Sequence, residues 1–240
     1  MVQGISIGPP QRGARLLLCD TDALIQVFIA QLVPSLRELK SSYGIQPTIV
    51  PEVEIEVSWN KKFKAQFDPV LRKTISSGVL IVLDKTGLEF CVDAPLVGAL
   101  SSQIQTLGAE HHKCVGLGEA YAFAAAVTLG QPAISNDFSA VQALTTSGFA
   151  VPSPVLRFFD LLVFFYQTGY LTEADCDQVR QTLLKRNEFV PAPFQRASFK
   201  NGLTYFCPRL LDKSKSAVGS QSHASSPYEA RLLVSPITII

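Results

Sequence analysis

"RLLLCDTDALIQVFIAQLVPSLRELK", Arg15 to Lys40, places a strand, an acidic turn and helical sequence one after another. Arg15 to Asp20 is a short continuous apolar run, the pattern of a strand buried on both faces. From Asp22 the apolar residues fall at helical spacing. Pro34 removes an amide and clashes with the preceding turn, so it predicts a helix, a break and a second helix. Asp20 and Asp22 sit at the seam. A carboxylate at the edge of a core is costly unless it has a donor, a basic residue or a metal ion beside it.

Composition narrows the classes. Hydrophobic residues make up 47% of the 240, enough for a proper core. A formal net charge of +1 is not that of a strongly basic nucleic-acid binder, although a local basic patch can sit in a neutral chain. The five cysteines, Cys19, Cys91, Cys114, Cys176 and Cys207, are scattered and contain no CxxC pair. That pattern fits reduced thiols in a cytosol rather than a zinc site or disulfide framework. No signal peptide is visible. In "FFDLLVFFYQTGYL", Asp160 interrupts the apolar run, and only about a dozen residues lie between it and Glu173, against the ~20 that a membrane span needs. The expectation is a buried or interface helix over Phe158 to Phe165.

The alternation continues along the chain. "PTIVP" reads as a short strand, and "PEVEIEVSWNKKF" as a helix with proline and acids in its first turn. "GVLIVLD" (Gly78 to Asp84) is a further buried strand, followed by a helix over "APLVGALSSQIQTLG". "GLGEAYAFAAAVTLGQ" is an alanine-rich helix stopped by Gly130. "PAISND" is a strand running into acids, and "GFAVPSP" a last short strand. "VLRFFDLLVFFYQTG" predicts a helix ending at Gly169. Thr172 and Asp175 then form a capping-box variant that opens another helix. Strands alternating with helices imply a mostly parallel α/β sheet with helices on both faces, a three-layer α/β/α sandwich with additional C-terminal helices. Ligands bind such sheets at the carboxyl ends of the strands.

Four places offer acids there: Asp20 with Asp22, the cluster Glu52, Glu54 and Glu56, then Glu119, and Asp137. The alanines after Glu119 allow its helix to pack close to the sheet. Carboxylates converging at one strand edge repel one another unless a cation lies between them, and an all-oxygen set suits Mg²⁺ or Mn²⁺. The plain alternative is that each acid is a helix cap or turn residue.

The motifs "DTDAL" from Asp20, "VPEVEIEV", and "VGLGEAYAFAAAVTLGQPAISND" together resemble PIN-domain ribonucleases, including toxins of toxin–antitoxin pairs. The resemblance covers about Arg15 to Phe165. It implies a PIN-like α/β/α sandwich and a Mg²⁺- or Mn²⁺-dependent endoribonuclease in which water attacks an RNA phosphodiester in line. It places Asp20, Glu119 and Asp137 on the metal. Glu56 matches the second acidic position best, as ligand or water positioner, with Glu52 one turn back as the fallback. Asp22, Ser135 and Asn136 become supporting or substrate-facing residues. The implied partners are RNA and an antitoxin protein, and the apolar density of the Phe158–Phe165 helix adds the expectation that a partner or a second copy of the chain pairs there. The organisation expected is a loose segment 1–14, a PIN-like domain over 15–190, and a tail 191–240, largely disordered from about 213.

Two other readings compete. The opening also resembles the first motif of haloacid-dehalogenase-type phosphatases, hhhhDxDx[TV], with Leu24 departing from its last position and no closing acidic pair. An inactive PIN-like scaffold acting through the Phe158–Phe165 helix is the non-enzymatic version. His111 and His112 read as surface residues, and Lys61, Lys62 and Lys64 with Trp59 and Phe63 as a solvated face or an RNA contact.

Overall fold

The computed structural model describes residues 15–83, 98–99, 101–103, 105–106, 116–146 and 154–206. It is an α/β protein. An all-parallel sheet of five strands has the order β3-β2-β1-β4-β5 and is flanked by helices, the arrangement of a three-layer α/β/α sandwich. The strands are β1 (Arg15–Cys19), β2 (Ile45–Ile49), β3 (Ile81–Val82), β4 (Ala133–Ile134) and β5 (Val155–Leu156). Contacts divide the chain into two compact units, Met1–Val155 and Leu156–Ile240.

In the first unit β1 is the axis of the sheet. Leu16, Leu17 and Leu18 are buried, as a strand covered on both faces requires. β1 pairs with β2 through Leu17↔Pro47 and Leu18↔Thr48, and with β4 through Cys19↔Ile134. β3 reaches only Thr48 and Ile49, so Pro47, which has no amide to donate, lies on a stretch of β2 unpaired on that side. The helix expected to be split by Pro34 is split: α1 (Thr21–Ile29) is followed by α2 (Val33–Tyr43), with the proline in its first turn.

The expected helix over 51–63 is instead two. α3 (Pro51–Trp59) ends at Asn60, whose backbone is extended, and α4 (Lys61–Ser76) follows, running through Pro69. The Ser58 hydroxyl donates to Asp68 at 2.6 Å and fastens the two together. α5 (Leu117–Leu129) ends on Gly130 in the left-handed conformation (φ 61°). Its alanines are buried, and it packs on α3, β1 and β4. α6 (Phe138–Thr146) follows β4. The expected strand "GFAVPSP" lies, except for Pro154, outside the described residues. So do the segment 1–14, much of the helix expected over 94–108, His111, His112 and the chain from 207.

In the second unit α7 covers Phe158–Gln167 and begins three residues later than expected, because Val155 and Leu156 are strand. Asp160 is the start signal. It accepts from the Arg157 amide at 2.7 Å and pairs with the Arg157 guanidinium at 3.0 Å. Phe158 to Phe165 are all buried within the chain, the first of the two alternatives expected for this helix. α8 (Glu173–Lys185) opens on the expected capping box, with the Asp175 amide donating to the Thr172 hydroxyl at 3.2 Å.

Residues read as tail form α9 (Ala192–Gln195) and α10 (Phe199–Leu203). Phe194, fully buried, stacks on Phe159 (4.9 Å) and Phe199 (5.3 Å). Sequence periodicity was silent because each helix is barely one turn, and a turn is too short to repeat. Replacing Phe194 by alanine removes the centre of this cluster. The expected loss is about 3–5 kcal/mol, read as a lower urea midpoint.

Candidate active site

The paired ends of β1 and β4 bring their following residues together. The Asp20 amide donates to the Ile134 carbonyl at 3.1 Å, which sets Asp20 beside the turn of Ser135, Asn136 and Asp137. A cavity of about 310 Å³ opens there, lined by Asp20, Thr21, Asp22, Glu56, Asn60, Phe63, Gly116, Glu119 and Asp137. Five of those side chains are carboxylic acids and none is basic.

Each acid is held by a local device. Asp20 caps α1, accepting from the Ala23 amide at 2.8 Å. Asp137 caps α6, accepting from the amides of Ser139 (2.8 Å) and Ala140 (3.1 Å). The cap interpretation is therefore correct for both aspartates. It does not exclude a ligand, because an ionised carboxylate has about four lone-pair sites and a cap uses one or two of them. Asp22 is exposed in the first turn of α1, where the helix end favours negative charge. Ser135 donates to Glu119 Oε1 at 2.6 Å and accepts from the Asp137 amide at 3.0 Å, so one hydroxyl ties the last two acids. Asn136 is half-buried between them in sequence.

Of the three competing glutamates, Glu56 is the one that lines the cavity. The Thr21 hydroxyl donates to its Oε2 and the Gly118 amide to its Oε1, at 3.1 Å for the amide. A Cβ at Gly116 would come within 2.9 Å of Oε1, and one at Gly118 within 2.9 Å of Oε2. The glycines of "GLGE" are thus what lets a carboxylate lie against the amino end of α5. Sequence reasoning took them as a turn before a helix and missed both this cradle and Thr21. The available signal was a helix that opens on two glycines without a hydroxyl cap. Glu52 does not line the cavity. Burial lifts its carboxyl above the ordinary value, with Glu56 adding to the rise.

Burial also pushes Asp20 up, from 3.8 to about 7, against the pull of Ser135 and the Ala23 amide, with Asp22 and Asp137 raising it further. Glu119 rises for the same first reason, with Asp20 as its strongest charged neighbour. Charge that is desolvated and crowded by like charge is what a cation relieves. Oxygen donors of this kind fit a hard divalent ion such as Mg²⁺ or Mn²⁺. Among the described residues, no three His, Cys, Asp or Glu side chains are grouped closely enough to grip an ion as placed. Comparison of the chain with protein-family models, with curated proteins and with solved structures gives no match.

Two outcomes follow. Asp20 and Glu119 bind protons more readily folded than unfolded, so metal-free protein loses stability as pH rises from 3.8 to about 7. Asp68, Asp175 and Asp177 are held low and act only below that window. Thermal midpoints in EDTA should fall between pH 5 and pH 8, and Asp20→Asn, which keeps the cap and drops the charge, should flatten the slope. Gly118→Ala crowds Glu56 and should cost roughly 1–3 kcal/mol. In a Glu56→Ala background that cost should shrink, a coupling that a double-mutant cycle reads directly.

Proposed function

We propose that this protein is a metal-dependent endoribonuclease of PIN type, using Mg²⁺ or Mn²⁺ to hydrolyse RNA phosphodiester bonds. The observation that supports it is a cavity at the strand ends whose lining, among the described residues, has five carboxylic acids and no basic residue. Asp20, Glu119 and Asp137 are the residues that would hold the ion. When bound, the ion supplies Lewis-acid activation of water and neutralises charge on a phosphoryl oxygen.

The chain's own groups do the positioning. The caps on α1 and α6 fix the Asp20 and Asp137 carboxylates, and the Ser135 hydroxyl fixes Glu119. Glu56, with a donor on each oxygen, orients the Thr21 hydroxyl and the amino end of α5 at the cavity wall. Burial and the neighbouring Asp20 make Glu119 harder to ionise, and a cation held between them would relieve that. Among the described residues no helix is long and apolar enough to cross a membrane, and a cytosolic site of action fits the scattered cysteines. In this reading an antitoxin-type protein or a second copy would bind elsewhere than on α7.

Mn²⁺ titrated calorimetrically should bind the wild type and lose at least tenfold in affinity in Asp20→Asn and in Glu119→Gln. RNA cleavage should vanish with EDTA and in both variants, while their thermal midpoints stay at or above the wild type's at pH 8. Equal Mn²⁺ binding in all three proteins refutes the reading. Turnover of a phosphomonoester without RNA cleavage moves the assignment to the phosphatase.

A further inference from the structure

A hydroxyl at a helix start usually serves the backbone beside it, where the amides of the first turn want an acceptor. Thr21, the first residue of α1, does something else. Asp20 already accepts from the Ala23 amide, so the cap of α1 is filled without it. The Thr21 hydroxyl reaches instead to Glu56, 35 positions along the chain. Both partners line the cavity, so this hydrogen bond belongs to its wall.

The bond has a fixed direction. A carboxylate has no hydrogen to give, so the threonine donates. Glu56 is itself held: its Oε1 receives the Gly118 amide at 3.1 Å, and a Cβ at Gly116 or Gly118 would come within 2.9 Å of one of its oxygens. A hydroxyl has one hydrogen and two lone pairs. With its hydrogen committed to Glu56, Thr21 can offer the cavity lone pairs only, and acts there as an acceptor. That polarity selects what it can meet. A phosphoryl oxygen has no hydrogen, so it is not the partner. In the hydrolysis of RNA the groups that carry an O–H are the attacking water and the ribose hydroxyl. We propose that Thr21 is a positioning residue that accepts a hydrogen bond from such an O–H group, and that Glu56 acts through Thr21 by fixing the direction of its hydrogen. The inference rests on the nuclease reading for the identity of the O–H donor.

The test compares Thr21→Val, which keeps the shape and removes the hydroxyl, with Thr21→Ser, which keeps the hydroxyl. Calorimetric Mn²⁺ affinity should be unchanged in both. Cleavage of a short fluorescein-labelled RNA should fall roughly tenfold or more in kcat/KM in Thr21→Val and be retained in Thr21→Ser. A fall in kcat at constant KM, shared by the RNA and by the same strand with one 2′-deoxynucleotide at the mapped cleavage site, assigns water as the donor. A rise in KM confined to the all-ribose strand assigns the 2′-hydroxyl. Glu56→Gln has one amide oxygen, which the Gly118 amide takes, so its NH₂ faces Thr21 and turns the hydroxyl's hydrogen outward. Adding Thr21→Val to Glu56→Gln should therefore lower cleavage by less than about threefold further. Wild-type cleavage by Thr21→Val overturns the proposal and leaves the nuclease standing. Loss of Mn²⁺ binding in Thr21→Val makes the hydroxyl a ligand of the ion and also overturns it. Equal loss of cleavage in Thr21→Ser lays the effect to the missing methyl and overturns it too. Absence of cleavage by the wild type with Mn²⁺ overturns the nuclease reading, and the role of Thr21 with it.

Discussion

Glu56 fastens the site. One carboxylate receives a hydroxyl from the start of α1 and an amide from the start of α5, while its own backbone belongs to α3. Three helices that begin or pass near the strand ends therefore meet at one side chain. Its position depends on two glycines, since a methyl at either would come within 2.9 Å of a carboxylate oxygen. The negative charge is welcome there because the amino end of a helix carries unsatisfied amides and partial positive charge.

The sheet supplies the rest. Because β1 lies between β2 and β4, residues far apart in sequence leave the sheet side by side. The Asp20 amide bonded to the Ile134 carbonyl fixes Asp20 level with Ser135. That backbone bond is indifferent to side-chain chemistry. The fold alone therefore brings the acids of two distant motifs together, and local caps then orient them.

Much of this was legible. The apolar run ending at Asp20, the break at Pro34, the glycine stop at Gly130 and the Thr172–Asp175 capping box are local signals, and local signals survive in sequence. The acids at the strand ends were legible for the same reason. What was hidden depends on contacts between distant residues. The choice of Glu56 over Glu52 turns on which helix face meets Gly118. The burial of Phe194 turns on partners at Phe159 and Phe199, and single-turn helices carry no period to betray it. The end of α3 at Asn60 was missed because a helical pattern continues across it, and only the extended backbone of that residue divides it.

Capping carries a consequence for what selection can see. Asn and Asp cap helices about equally well, and Asn brings no charge. At Asp20, 3% exposed and pressed by Asp22 and Asp137, the neutral amide would hold α1 as well and be easier to bury. Helix architecture alone thus gives no reason to prefer the acid. The acid at this position is therefore more than the cap of α1 requires. The same holds of Asp137, whose two accepted amide hydrogen bonds an asparagine oxygen could also take.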